Sequence, residues 1–297
     1  MLSDNVYREN QKPSSLTQKW HIFHHNPISV IGLYGFLLLI ILCLFGKWFL
    51  PHPMEQKFLG YQQLPPSWSH YGDVSFFLGT DNLGRDILSR LLAGTTLTFG
   101  SALLVTILAS LIGLVLGVLA SSVTHCFRAM LLNHMLDTVL SIPSLLLAII
   151  VVAFLGPRLD HAMLAVCLPL LLGIMHSIYT LIKKELEKDY VLAVRMDGAS
   201  MLYILRYAVL PNITSQLISE FSRALSIAIL DISALGFLNL GAQTSSPEWG
   251  AMMNDQFEFV CIAPWSVMLP GFAIMLSVMI VNIFSEGLCR AIVTEVE

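Results

Sequence analysis

Three ionisable residues interrupt the apolar runs of this chain. Arg223 and Asp231 are separated by about 12 Å if they lie on one helix, and they then share a face. Asp137 stands near one end of another apolar run. Because a charge in the middle of a bilayer costs about 2.5 to 3.5 kcal/mol, these groups must face a helix bundle or water. They are candidate residues of a polar pathway across a membrane, and local pairing that fixes helix contacts is the alternative.

Motifs for catalysis, metal binding and nucleotide binding are missing from the sequence. His24 and His25 are adjacent and therefore point apart, and no H-E-x-x-H or G-x-S-x-G occurs. The five cysteines are scattered without a C-x-x-C pair. Gly46-Lys47 is followed by Trp48, so it is not a phosphate-binding loop. We expect no metal and no cofactor on this chain, and no enzymatic activity; any ATP would be bound by partner subunits.

The composition indicates a membrane protein. Hydrophobic residues make up 56% of the 297 positions and charged residues only 12%, against about 25% in a typical soluble domain. The mean hydropathy is +0.73. A spanning helix needs about 20 apolar residues, and the first run is too long for a cleaved signal. We predict an all-α integral membrane fold of about six transmembrane helices, at 28–50, 98–120, 135–155, 161–182, 216–240 and 264–286.

The distribution of Lys and Arg predicts the orientation. Cationic residues concentrate in the segments that are internal if both termini are cytoplasmic. Prolines prevent a continuous helix in the segment after the first span, and the 244–263 connection is expected to be a loop. Gly113 and Gly117 have a spacing that favours helix packing. The expected division is a cytoplasmic tail at 1–27, a first helix with a periplasmic segment at 28–97, a core of five helices at 98–289 with a cytoplasmic loop at about 183–214, and a tail at 290–297.

The 183–214 loop is patterned enough to fold. Apolar and charged residues alternate at helical spacing from Tyr190 to Met196, and Asp197-Gly198 should break that helix. Ser200 is placed to cap a second short helix, which Leu210-Pro211 should end or turn toward the membrane. Such a pair of amphipathic helices suits lipid headgroups or the groove of a soluble partner, and composition does not choose between them.

These loop residues resemble the signature of permease subunits of ABC importers, which is E-A-A, three residues, G, nine residues, then I-x-L-P. The chain matches at Ala193, Gly198, Leu210 and Pro211, and departs with Leu192, Val194 and Ala208. In that family the loop docks in a cleft on the cytoplasmic ATPase. The resemblance therefore implies an ATPase-coupling site that comprises Ala193, Val194, Asp197, Gly198, Ala199, Leu210 and Pro211.

A second run, Leu78 to Arg90, resembles G-T-D-x-x-G-R-D-x-x-S-R of the second permease in the dipeptide, oligopeptide and nickel importer family. Within that family the chain is most similar to the Sap-type peptide branch. The run reads as a turn followed by a helix, with Asp86 and Arg90 in ion-pair register. We expect it to cap the second helix and favour that role over contact with substrate.

The resemblance implies a type I importer permease fold in the bacterial inner membrane. It implies ATP-driven movement of peptides, cationic or antimicrobial peptides included. The implied partners are a second permease in a heterodimer, two ATPase subunits and a periplasmic substrate-binding protein, with no nucleic acid. Nickel, polyamines or another small cation are alternative cargoes. An ion-coupled secondary carrier is a further alternative, although its typical repeated halves are not seen; a membrane-embedded enzyme has no catalytic constellation to support it.

Overall fold

The computed structural model describes residues 23–54, 56–122, 140–243 and 246–293, and within them the chain is predominantly helical. This confirms the all-helical prediction. The helices are α1 (Pro27–Phe45), α2 (Ile87–Thr95), α3 (Ser101–Ser122), α4 (Ser144–Leu155), α5 (Leu159–Leu186), α6 (Asp189–Met196), α7 (Met201–Tyr203), α8 (Leu210–Asn212), α9 (Thr214–Phe237), α10 (Trp249–Gln256) and α11 (Pro264–Val293). A π turn at Thr96–Gly100 joins α2 to α3, and another at Ile204–Val209 joins α7 to α8.

Four stretches of the described residues are long and apolar enough to cross a membrane, and they correspond to the first, second, fourth and sixth predicted spans. α4 lies in the third predicted span, and residues 135–139 of that span, with Asp137, lie outside the described residues. α9 carries the fifth and has 24 residues, a length of about 36 Å. The four stretches are Pro27–Trp48, Ile87–Ser121, Leu159–Leu186 and Pro264–Ile292.

Two boundaries differ from the prediction. The second helix begins at Ile87 rather than at residue 98, because the Asp86 side chain caps it by accepting a hydrogen bond from Ser89 N at 2.9 Å. The 244–263 connection is not simply a loop, since it contains α10. That helix begins where Glu248 accepts hydrogen bonds from Gly250 N and Ala251 N at 2.9 and 2.8 Å. Carboxylates satisfy the free amides of a first helical turn in both places.

α3 and α5 pack side by side through the predicted pair of glycines. A Cβ on Gly113 would lie 3.0 Å from Ile174 Cγ2, and one on Gly117 would lie 2.8 Å from Ile178 Cγ2. The prediction of helix packing at this spacing is confirmed. Because 113 meets 174 and 117 meets 178, α3 and α5 run parallel to each other.

The core of the bundle lies around α9. Leu225, Ile229 and Leu235 of this helix are fully buried, among residues of α3, α5 and α11. α1 instead leans on α11, where the Phe36 and Phe284 rings stack with centroids 4.7 Å apart. Most of the remaining apolar surface of α1 is exposed, as suits a helix that faces lipid.

The features of interest fall at two opposite ends of the bundle. The parallel course of α3 and α5 puts the start of α2 at one end and the 183–214 loop, which follows α5, at the other. α9 starts beside that loop and leads back to α10, which contacts α2.

Candidate functional site

The 183–214 loop folds as a pair of short helical arms about a glycine turn. α6 ends at Met196, and Gly198 has a φ of +83° with no heavy atom within 4 Å of a Cβ placed on it. The Ser200 hydroxyl then accepts a hydrogen bond from Tyr203 N at 3.3 Å and caps the second arm. The predicted break and cap are both confirmed. The second arm ends at Asn212, one residue after Pro211, and α9 begins at Thr214, as the predicted end or turn at Leu210-Pro211 requires.

The two arms bury one side and expose apolar side chains on the other. Val191, Ile204 and Val209 are at most 1% exposed and join the core. The exposed side chains form what we call the docking surface: Leu192, Met196, Leu202, Tyr203 and Tyr207. Met196 and Leu202 are 89% and 76% exposed. Apolar side chains held clear of the bundle on a rigid turn suit insertion into a complementary groove.

The predicted coupling residues lie on and around this turn. Asp197 and Gly198 are exposed at its tip, and Ala199 follows half-buried. Ala193 is exposed in α6 while Val194 is half-buried and packs against the core. Leu210 and Pro211 lie in α8, close to the start of α9. The structure thus brings Ala193 to Ala199 together at the tip and separates them from Leu210 and Pro211 at the base.

Sequence reasoning missed a polar network at the base of the loop. The Tyr190 hydroxyl donates to Glu185 Oε1 at 2.7 Å and accepts from Asn212 Nδ2 at 2.9 Å. Lys188 Nζ also donates to Glu185 Oε1, at 2.9 Å. Burial and the bond to Glu185 raise the pKa of Tyr190, and the bond to Glu185 raises the pKa of Lys188. The spacing of three between Glu185 and Lys188 was the available signal, and the bonds of Tyr190 had none, because it follows Glu185 by five residues across the end of α5.

An ion-pair cluster at the other end of the bundle consists of Asp81, Arg85, Arg90 and Asp255. Arg85 Nε lies 2.6 Å from Asp81 Oδ2, and its Nη2 lies 3.6 Å from Asp255 Oδ2. Arg90 is 3.7 Å from each carboxylate. The predicted pairing of Asp86 with Arg90 is wrong, because Asp86 is occupied as the cap of α2. The expected turn before that helix is confirmed, with Gly84 N bonded to Asp81 O at 3.0 Å.

Glu248 connects α10 to the second span. Its carboxylate is fully buried and accepts from the Thr98 hydroxyl at 2.9 Å as well as from its two helix amides. Burial raises the pKa of Glu248, and the three hydrogen bonds oppose that shift. This bond holds α10 on the end of the bundle. The ion-pair cluster holds the segment before α2 against α10 at the same end.

A cavity of about 280 Å³ lies between α4, α5 and α9, and Ser144 and Arg223 help to line it. The Arg223 side chain is 53% exposed and pairs with Glu220 at 2.7 Å, not with Asp231. Asp231 is 7% exposed, and the Ser144 side chain lies close to it. Its Oδ2 has no hydrogen-bond partner among the described residues. Arg223 and Asp231 therefore occupy different surroundings, and Ser144 lies between Asp231 and the cavity that it lines.

Two family models match the chain. Residues 113–296 match the binding-protein-dependent transport system inner membrane component. This range includes the arms of the loop, α9 and α11. Residues 14–66 match the N-terminal transmembrane domain of oligopeptide transport permease C.

Similar curated proteins span almost the whole chain. The peptide transport system permease protein SapC of Escherichia coli is 58% identical over 294 residues, which is 99% of each chain. SapC of Haemophilus influenzae is 44% identical over 96% of each chain. The di/tripeptide transport system permease protein DppC of Pseudomonas aeruginosa is 39% identical over 94% of this chain and 92% of its own. This chain therefore belongs to the family of binding-protein-dependent transport system inner membrane components, the permease subunits of ABC transporters.

Proposed function

We propose that this chain is the permease subunit of an ATP-driven importer that moves peptides across the bacterial inner membrane. The observation that carries the proposal is the 58% identity over 99% of the chain to a peptide transport permease. The chain would work as a heterodimer with a second permease, with two ATPase subunits that bind ATP and with a periplasmic binding protein that delivers cargo.

The docking surface supports coupling to an ATPase. Leu192 and Met196 stand on one side of the Gly198 turn and Leu202 on the other, so both arms can enter one groove. Their exposure costs free energy in water unless a partner covers them. Closure of the ATPase pair would move the arms. The helix bundle then changes conformation only if the transporter binds ATP with different affinity in its two conformations.

We place the docking surface in the cytoplasm because of the charge of the loop that carries it. The 183–214 loop carries five cationic residues that favour the inner side: Lys183, Lys184, Lys188, Arg195 and Arg206. The two chain termini then also lie inside, and the ion-pair cluster faces the periplasm, where a binding protein approaches.

The cavity between α4, α5 and α9 supports a polar pathway that includes Asp231. A carboxylate in a spanning helix is expensive unless it faces protein or water. Ser144 and Arg223 line that cavity, and Asp231 lies close to Ser144. Movement of charged or polar cargo past these groups is the role we assign to them.

Affinity purification of the tagged chain from native membranes in a mild detergent tests the proposal. We expect a second permease and one or two ATPases among the partners identified by mass spectrometry. The variant Met196→Glu/Leu202→Glu should keep the second permease and lose the ATPases, because both side chains are exposed and the fold does not depend on them. Leu59→Glu, an equally exposed position at the opposite end, is the matched control and should keep all partners. Recovery of the parent chain without an ATPase would contradict the proposal.

A further inference from the structure

The Tyr190 hydroxyl joins parts of the chain that are distant in sequence. Glu185, which accepts a hydrogen bond from it, lies in the last turn of the spanning helix α5, and Asn212, which donates to it, lies two residues before the start of α9. A phenol hydroxyl has one proton to donate and an oxygen that accepts. Glu185 is the nearer acceptor of that proton at 2.7 Å, and Ala208 O is a longer one at 3.3 Å. The hydroxyl therefore ties the end of α5 to the start of α9, with α6 between them.

The Glu185 carboxylate opposes movement of α6 away from α5. Its side chain is only 8% exposed, and its described donors are Tyr190 and Lys188, which lie at the start of α6. If α6 moved away from α5, a buried carboxylate would lose both donors, which is costly. α6 is therefore held to the end of α5. The hydroxyl keeps its donor proton at neutral pH, because the ordinary pKa of a tyrosine is about 10.

At the glycine turn the two arms are joined by one long backbone hydrogen bond, from Ala199 N to Val194 O at 3.4 Å. The space around Gly198 is open, with no heavy atom within 4 Å of a Cβ built there. The arms are also joined at their base, where the Tyr190 hydroxyl meets Asn212 and where Val191 and Val209 are buried. A force on either arm of the docking surface is therefore transmitted through the base.

We infer that Tyr190 is a positioning residue that makes the docking surface, the end of α5 and the start of α9 move as one unit. The inference deepens the proposed function and rests on it, since the force comes from a docked ATPase. Leu192 and Met196 share the helix α6 with Tyr190, so movement of these two side chains is passed to the hydroxyl. Without the hydroxyl the docking surface would still bind its partner but would turn more freely on the bundle.

The test uses Tyr190→Phe in the complete complex in lipid nanodiscs, with Tyr34→Phe as the control. Tyr34 lies in α1, outside the 183–214 loop and the docking surface, and is 63% exposed. Hydrogen exchange over residues 189–212 should be about tenfold faster in Tyr190→Phe, as expected for the loss of a bond to a charged group. ATP hydrolysis should continue within about twofold. A fluorescent label on Cys261, which is exposed at the opposite end, should lose its response to ATP in Tyr190→Phe and keep it in Tyr34→Phe.

Asn212→Ala cuts the same tie from α8 and guards against a folding defect specific to Tyr190→Phe. It should also abolish the label response. The double variant should add no further loss, because either change alone breaks the path of hydrogen bonds from Glu185 through Tyr190 to Asn212. A label response in Tyr190→Phe and Asn212→Ala equal to that of Tyr34→Phe would overturn the inference while the proposed function stands. A parent complex without an ATPase would overturn both.

Discussion

The Thr98 hydroxyl donates to Glu248 Oε1 at 2.9 Å and accepts from Trp249 N at 3.0 Å. All three groups are buried. One side chain of the second span thus completes the cap of α10, a helix that the chain reaches only after it has passed through α9. This pair fixes the end of the bundle at which we place cargo delivery.

Thr98→Val should destabilise the chain by about 1 to 3 kcal/mol, because it leaves a buried carboxylate and a buried amide each without one partner. The measurement is the midpoint of thermal unfolding in detergent. Thr106→Val is the control, since the Thr106 hydroxyl is equally buried but bonds only Ala102 O within its own helix. Equal unfolding midpoints for the two variants would contradict the role of the bond.

Asp255→Asn should cost about 3 kcal/mol of stability, because it leaves Arg85 and Arg90 with one carboxylate in a buried site. The surface pair of Arg158 and Asp160, with side chains 68% and 58% exposed, supplies the control. Asp160→Asn should change stability by less than about 1 kcal/mol. Limited proteolysis of the 51–86 segment measures the local effect. If Asp255→Asn is cleaved there no faster than the parent chain, the cluster does not hold that segment.

Run length and composition predicted the spanning helices because each one needs a continuous apolar stretch. They did not predict the ion-pair cluster. Arg90 follows Asp86 at helical spacing, yet Asp86 caps α2 and Arg90 finds Asp81 and Asp255 instead. A rule based on local spacing predicts only the pairing of Asp86 with Arg90, since Asp255 comes from a segment far along the chain. The same limit hid α10 in part, since the Glu248 carboxylate that caps it also accepts a hydrogen bond from Thr98 of the second span.

The loop shows which parts of a site a local pattern predicts. The turn at Gly198 and the cap at Ser200 follow from the backbone preferences of those residue types, and both were predicted. The bond between Tyr190 and Asn212 joins two arms across the turn, so it depends on how the arms fold together. Asp137 lies outside the described residues, and its assignment to the pathway stays a prediction.

Gly117→Ala should destabilise the packing of α3 on α5 by about 1 to 3 kcal/mol, the usual cost of overpacking. The added methyl would lie 2.8 Å from Ile178 Cγ2 and 3.0 Å from Met175 O. Gly173→Ala should be neutral or stabilising, because its methyl would lie no closer than 4.0 Å to another atom and alanine favours helix. The midpoints of thermal unfolding of both variants test this prediction. A Gly173→Ala variant less stable than the parent would argue against this packing.

Asp231→Asn should lower transport by about tenfold while membrane levels stay unchanged, because it removes a charge and keeps the shape of the side chain. Initial uptake rates in vesicles, corrected for protein amount, measure the effect. Ser233→Ala, a buried change on the same helix, should leave uptake near the parent rate. Normal uptake by Asp231→Asn would remove that residue from the pathway.

Gly198→Val should leave the chain in the membrane and preserve ATP hydrolysis, but transport should stop. Valine resists the φ of +83° by about 1 to 2 kcal/mol, so the two arms would no longer present one surface. Gly198→Asn is the control, because asparagine tolerates positive φ and should retain most transport. Transport by the valine variant at the parent rate would contradict the role of the turn.

The most direct test of the account is uptake of a labelled peptide mixture by proteoliposomes that contain the chain with its copurified partners. With the binding protein on the periplasmic face and ATP supplied on the ATPase side, we predict uptake that follows ATP hydrolysis and persists when ion gradients are collapsed. Uptake that needs no ATP and stops when the ion gradients are collapsed would contradict the account and identify an ion-coupled carrier.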